Sequence, residues 1–243
     1  MTYCVGLKID RGLVFMSDTR TNAGMDSIST FKKMHVWEQP GERVIVLMSA
    51  GNLATTQAVV SLLDERTKAV ADRHPALLEI PSIYQTVRLV GDTVKEVIAH
   101  ASPEGDKADS YFNASFILGG QIKGSPPRLF MIYPEGNFIE STDDTPFFQI
   151  GETKYGKPII IRAYDRAMSL AATVKLLLVS FDSTLKSNLS VGLPLDLLFL
   201  EKDALAVGLR KRIGNDDQYY RAISDGWSSA LKAAFASLPD FPG

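Results

Sequence analysis

Four strand-like segments crowd into the first 51 residues before any helical period appears, and that grouping restricts the fold more than any other feature. Tyr3 to Ile9 alternates Tyr3, Val5, Leu7 and Ile9 against Cys4, Gly6 and Lys8, and Asp10-Arg11-Gly12 is a turn signal before Leu13-Val14-Phe15-Met16. A second hairpin is predicted from Phe31 to Trp37, through Glu38-Gln39-Pro40-Gly41-Glu42, into the apolar run Val44 to Met48 and Ser49-Ala50-Gly51. Helical spacing then takes over. Leu53, Val59, Val60, Leu62 and Leu63 follow Asn52 as a cap and run to about His74-Pro75. A second helix opens near Pro81-Ser82, with Ile83, Val87, Val90, Val94, Val97 and Ile98 forming a core-facing stripe.

Strands are expected again over Ala114 to Leu118 and Arg128 to Tyr133, around a turn at Gly119 to Gly124, and near Phe147 to Ile150. Helical patterning covers about Thr153 to Lys186. Strand-like Leu195 to Leu200 and Ala206 to Arg212 precede a last helix from Asp217 to Ser237. Strands in groups, followed by helices in pairs, argue against βαβ alternation. They predict an α+β fold: one domain over residues 1–243, a four-layer αββα sandwich of two antiparallel sheets, with two separate α+β lobes as the alternative.

The charges, 26 Lys+Arg against 28 Asp+Glu, leave a net of -2, so no global field favours nucleic acid or anionic lipid. No apolar run reaches a membrane span of about 18–20 residues, and no basic-then-apolar signal opens the chain, so the expected location is the cytoplasm. The one cysteine, Cys4, has no intrachain partner and reads as a buried strand residue. His35 reads as a hydrogen-bonded core residue, and His74 and His100 as helix-end residues; no metal site or cofactor is expected. The chain has no G-x-S-x-G, no H-E-x-x-H and no strand-to-helix G-x-G-x-x-G. Gly119 to Gly124 has phosphate-loop spacing but continues Ser125-Pro126. Asp143-Asp144 and Asp216-Asp217 read as solvated turn carboxylates.

The informative stretch is the start. A small residue after Met1 is what permits removal of the initiator, which would leave Thr2 with a free α-amine beside its own hydroxyl. That amine, with an unperturbed pKa of about 7.7–8.0, can take the hydroxyl proton, so one residue serves as nucleophile and base. Hairpin pairing sets Asp18 across from residue 3 or 4, Lys33 across from about Leu47 and Gly51 across from about Ser29. If both hairpins share a sheet, Thr2, Asp18, Lys33 and Gly51 meet at one end.

Thr2-Tyr3-Cys4-Val5-Gly6, Ser17-Asp18-Thr19-Arg20-Thr21-Asn22-Ala23-Gly24, Thr30-Phe31-Lys32-Lys33-Met34 and Ser49-Ala50-Gly51-Asn52 together resemble proteasome β-type subunits, the N-terminal-nucleophile threonine peptidases. The opening residues and Arg20-Thr21-Asn22-Ala23-Gly24 are most similar to the bacterial Anbu, or ancestral β-subunit, type. The match is densest over about the first 55 residues and thins beyond Ile150-Gly151. The resemblance implies Thr2 as nucleophile and base, Lys33 as the cation that keeps the amine deprotonated, Asp18 as the carboxylate orienting Lys33, and the Gly51 N–H as oxyanion donor. It also implies Thr21, Phe31, Ser49 and Leu53 in the first substrate pocket. Two segments depart from the family pattern. Gly151-Glu152-Thr153-Lys154 replaces Gly-Ser-Gly-Ser, which makes Glu152 a candidate supporting residue. Ser187-Asn188-Leu189-Ser190-Val191-Gly192 keeps the serine of Asp-x-x-Ser as Ser190 but has Ser187 in place of the aspartate.

The resulting expectation is a threonine peptidase acting on peptides or unfolded protein inside a large homo-oligomer, a dodecamer-like ring or helical stack by resemblance. An ATPase partner is compatible with it, although no residue names one. A catalytically silent structural subunit, and an amidase for small acyl-amides, are the alternatives.

Overall fold

The strands that pair at the centre are apolar on both faces, so each must be covered twice, and layering follows from that requirement. The computed structural model describes residues 1–22, 28–68, 76–101 and 111–242. One five-stranded antiparallel sheet has the order β10 (Phe147–Gly151), β1 (Tyr3–Ile9), β2 (Gly12–Asp18), β11 (Leu195–Glu201), β12 (Leu209–Ile213). The other runs β5 (Met34–Gln39), β6 (Arg43–Gly51), β7 (Ala114–Ile122), β8 (Arg128–Ile132), β9 (Phe138–Glu140), again all antiparallel. A short ribbon pairs β3 (Arg20–Asn22) with β4 (Ile28–Thr30). The helices are α1 (Leu53–Glu65), α2 (Ile83–Ala101), α3 (Lys157–Ala163), α4 (Leu170–Ser187) and α5 (Gln218–Ala236).

Side-chain alternation sorts these strands into layers. Tyr3, Val5 and Leu7 of β1 pack with Leu177 and Phe181 of α4. Cys4, with Leu13 and Phe15 of β2, faces the other way and meets Val46, Met48 and Ile117 of the second sheet. That sheet turns Ile45, Leu47, Phe116 and Phe130 outward onto Val59 and Leu63 of α1 and Val87 and Val94 of α2. The order is helices, sheet, sheet, helices: the four-layer αββα sandwich.

The first hairpin pairs Cys4 with Ser17, which brings Asp18 level with Tyr3. In the second, Gln39 pairs with Arg43 and Met34 with Met48. Lys33 therefore lies opposite Ser49, whose N–H donates to its carbonyl at 3.0 Å, and not opposite Leu47. The same register carries Gly51 to the level of Phe31 instead of Ser29. The turn is centred on Gly41, with φ of +80°, one residue past Pro40. A shift of two residues keeps every side chain on its expected face.

Several boundaries differ from the sequence reading. The Gly119 to Ile122 stretch is part of β7, and the turn falls at Lys123-Gly124-Ser125. These glycines make room between layers: a Cβ on Gly119 would lie 2.6 Å from the Phe15 ring, and one on Gly6 would lie 2.8 Å from Ile117. The first helix ends at Glu65; its expected end at 74–75, with His74, lies outside the described residues. Helical patterning over 153–186 divides into α3 and α4 at Asp165-Arg166, where the Arg166 carbonyl accepts from Asp10 N–H at 3.0 Å and the Arg166 Nε donates to Asp10 at 2.6 Å. The last strand starts at Leu209 and not Ala206, and β3, β4 and β9 were too short to register as periodicity. Cys4 is fully buried, and His100 lies in the last turn of α2.

A side chain at Gly6 has nowhere to go except between the sheets. Gly6→Val is expected to lower stability by about 1–3 kcal/mol through overpacking, read as a lower urea midpoint with an unchanged slope.

Candidate active site

Thr2 is fixed by its neighbours before its own side chain is considered. Tyr3 is fully buried, its ring centroid is 4.4 Å from that of Phe181, and its hydroxyl meets Ser180 Oγ at 2.7 Å and the Gln149 amide. Ser180 Oγ in turn donates to Gly156 O at 3.1 Å. The Thr2 carbonyl accepts from the Glu152 N–H at 2.6 Å. That contact requires glycine next door, because Gly151 has φ of +84° and a Cβ there would lie 2.0 Å from the Thr2 oxygen.

Beneath Thr2 sits a buried ion pair. Lys33 Nζ donates to Asp18 Oδ1 at 2.8 Å and to the Arg20 carbonyl at 2.6 Å. Asp18 also accepts from the Tyr3 N–H at 3.0 Å on Oδ1 and from the Gly192 N–H at 3.4 Å on Oδ2. Asp18 is 0% and Lys33 5% exposed. Burial holds the Asp18 carboxyl above its ordinary value, and Lys33 with the two N–H groups recovers only part of the shift. A carboxylate raised in the folded state adds stability when protonated and loses it as pH rises through that value. The ionised pair is thus a net cost to folding, offset in part while both partners are present and greater when either is alone.

The α-amine of Met1 shows what a basic group experiences here. Its pKa is lowered from the usual 8.0, first by burial and then by the Lys33 charge, with Asp18 opposing. Lys33 uses two of its three N–H donors on Asp18 and Arg20, and it lines the same cleft as Thr2.

Gly51 ends β6 with φ of +119°, and a Cβ would lie 2.3 Å from Asn113 O, so only glycine fits. Strand N–H groups two residues apart point to the same edge. Ser49 donates to Lys33 O on that edge, so the Gly51 N–H points beyond the end of β5, toward the cleft.

The cleft has a volume of about 860 Å³. Thr2, Lys33 and Gly51 lie along it with Thr21, Phe31, Ser49 and Leu53; Asp18 is behind, reached through Lys33. The far wall belongs to α1 and includes Thr56, Gln57, Val60 and Ser61. Their recurrence with Leu53 at three and four residues was a readable signal of a second helix face. Lys32 and His35 also line the cleft. His35 is thus no core residue: partly exposed, its ring centroid 6.3 Å from Trp37, it is held near pKa 4 by burial and by Lys32.

The supporting residues are arranged differently from the sequence expectation. The Ser187 hydroxyl donates to Ser183 O at 2.8 Å, within its own helix and exposed, so Ser187 is not part of the site. Asn188 takes its place: Asn188 Nδ2 donates to Glu152 Oε2 at 2.9 Å, and Asn188 Oδ1 accepts from the Ser190 N–H at 2.9 Å. Glu152, 7% exposed, also accepts from the Lys154 N–H at 3.3 Å. The segment from Asn188 to Gly192 is tied at one end to Glu152, beside Thr2, and at the other to Asp18. Arg20 binds its middle, donating to Leu189 O at 3.0 Å. No group of His, Cys, Asp and Glu among the described residues is placed to hold a metal ion.

Asp18→Asn leaves the Lys33 ammonium buried without its counter-charge and is expected to cost about 3–5 kcal/mol, whereas Asp18→Asn with Lys33→Met removes both charges and recovers most of it. Thermal and urea unfolding of the three proteins measure the difference.

Comparison with known proteins completes the picture. The sequence pattern of the proteasome subunit family matches residues 2–193. No curated protein matches. Among solved structures, Anbu from Hyphomicrobium sp. strain MC1 is 54% identical, with a TM-score of 0.91 and 100% of both chains covered. Anbu from Yersinia bercovieri is 49% identical with a TM-score of 0.92, and the Pseudomonas aeruginosa Anbu, solved as a helical assembly, is 47% identical with a TM-score of 0.92. Each covers 100% of this chain and 99% of its own. With the family pattern spanning residues 2–193 and full-length relatives near half identity, this chain belongs to the proteasome subunit family, in its Anbu, or ancestral β-subunit, branch.

Proposed function

We propose that this chain is a cytoplasmic N-terminal threonine peptidase that cleaves peptides or unfolded protein through an acyl-ester on Thr2, within an assembly of like subunits. The observation that carries the reading is the buried Lys33–Asp18 pair at the Thr2 end of an open cleft.

The chemistry begins once Met1 is gone. With Met1 attached, the Thr2 nitrogen is an amide and no base is present. Met1 is 63% exposed, which leaves it open to removal. The neutral form of the freed amine is favoured by burial and by Lys33, which disfavour the charged form as they do for the Met1 amine. It takes the Thr2 hydroxyl proton as the oxygen attacks the substrate carbonyl. The oxyanion is received by the Gly51 N–H, a donor of a kind worth about 2.7–4 kcal/mol. Collapse passes the proton to the departing amine and leaves the ester. Water, deprotonated by the same α-amine, then releases the acid.

Intact mass before and after a peptide epoxyketone, which needs both the hydroxyl and the free amine, tests this reading. The wild type is expected to have lost Met1 and to gain one adduct, and Thr2→Ala to gain none and to hydrolyse no peptide. The acid limb of kcat/KM is expected below pH 8, because activity requires the neutral amine and its pKa is lowered; Lys33→Met moves that limb upward where residual activity is measurable. A Met-free wild type without adduct or turnover favours a silent structural subunit, a reading for which Glu152, in place of the usual Ser, and Ser187, in place of the usual Asp, speak.

Assembly has its own support. In α5 only Tyr220 is buried, while Leu231 and Phe235, four residues apart on one face, are 50% and 78% exposed, and Leu238, just past the end of the helix, is 63% exposed. Phe241 is 91% exposed. Such a patch, large apolar side chains exposed on the last turns of α5 and in the segment that follows, marks an association surface, and a second copy of this chain is the occupant we assign. Phe235→Glu with Leu238→Glu is expected to reduce the particle mass by light scattering, with an unchanged circular-dichroism spectrum.

A further inference from the structure

The cleft next to Thr2 has a charge character of its own. Its described lining contains two lysines and a histidine but no aspartate or glutamate. Lys33 is neutralised from behind by Asp18, whose oxygens are occupied by Lys33 and by the N–H groups of Tyr3 and Gly192. Lys32 is different. It is exposed, it has no ion-pair partner among the described residues, and it lies close enough to the His35 ring to lower its pKa. Among its described residues the cleft therefore carries one unbalanced positive charge.

The remaining lining suits a particular shape of side chain. Phe31 and Leu53 give apolar surface near Thr2 and Gly51, while Gln57 and Ser61 on α1 place polar groups on the far wall. A side chain with a short methylene stem and a charged end meets both requirements. A cationic end would face Lys32 unscreened. A wholly apolar one would leave that ammonium and the polar wall to displaced water.

We propose that the cleft selects substrates in which the residue donating the scissile carbonyl has a carboxylate side chain, glutamate above all, with Lys32 as the specificity-determining cation. The inference rests on the peptidase reading. Once Thr2 attacks the carbonyl, the side chain one bond away from that carbon is carried into the cleft. Lys32 touches the substrate side chain and not the reacting atoms, so its effect falls on discrimination between substrates.

The test uses the full-length, Met-free assembly and peptide electrophiles identical except for Glu, Gln, Leu or Arg at the selecting position. Adduct formation by intact mass gives second-order rates, and matched fluorogenic peptides give kcat/KM. Glu is expected to exceed its uncharged isostere Gln by about fivefold at low salt, the size of one partly solvated ion pair, with the ratio falling toward one in 0.5 M salt. Lys32→Glu is expected to invert the order of Glu and Arg, which a merely structural role for Lys32 would not do. Arg210→Glu, on the exposed face of β12, is the control for general charge and leaves the order unchanged. Equal rates for Glu and Gln, or an order unaffected by Lys32→Glu, overturn the specificity while the threonine chemistry stands. No adduct with any peptide, on protein lacking Met1, overturns the peptidase reading beneath it.

Discussion

A lysine and an aspartate sealed from water at the end of a β-sandwich set the terms for the rest of this molecule. The Lys33–Asp18 pair is bought with desolvation that its own attraction does not return, so the surrounding chain has to hold both partners in one geometry. Asp18 receives the Tyr3 N–H because the first hairpin has that register. Lys33 reaches it because the second hairpin ends there, with Ser49 bonded to the Lys33 carbonyl. The ribbon of β3 and β4 supplies the Arg20 carbonyl, the second acceptor on the ammonium. Three separate strand pairings thus converge on one charge pair, and the two sheets cannot slide relative to each other without separating it.

Much of this was legible in the sequence because it is local. A tight turn fixes hairpin register within a residue or two, and alternation fixes faces, so Thr2, Asp18, Lys33 and Gly51 could be brought toward one sheet end from the first 51 residues. The second hairpin was misread by two residues because Pro40 and Gly41 each mark a turn, and only the positive φ at Gly41 decides between them. Gly119 and Gly120 looked like turn residues for the same reason. Their use as spacers against Phe15 and β6 depends on a sheet formed by distant sequence. His35 was assigned to the core from its face alone. Whether that face is covered depends on how α1 crosses it, which spacing does not specify.

The supporting residues beside Thr2 illustrate a different limit. Aligned by pattern, Ser187 occupies the aspartate position and has no evident partner for Glu152. In three dimensions the next residue, Asn188, does the work, with its amide presenting one donor to Glu152 and one acceptor to the Ser190 N–H. A buried carboxylate needs donors and a part-buried backbone N–H needs an acceptor, and a single amide satisfies both. The pairing of Glu152 with Asn188 spans 36 residues, so neither change is interpretable without the other. What looks like two losses of a family pattern is one exchange of hydrogen-bonding chemistry.

On the proposed reading, the same separation divides chemistry from selection in this fold. Thr2, Asp18, Lys33 and Gly51 belong to strand ends whose positions are enforced by backbone pairing and by glycines that admit no side chain. Lys32, Gln57 and Ser61 are exposed side chains on the cleft wall, free of any pairing that the sheets require. A change at the first set breaks hydrogen bonds that hold the sandwich end together, and the structure resists it. A change at the second set alters the field and shape of the cleft while the layers pack as before. Divergence in substrate preference within this architecture should therefore accumulate on the exposed face of α1 and at the residue before Lys33, where the fold exerts the least constraint.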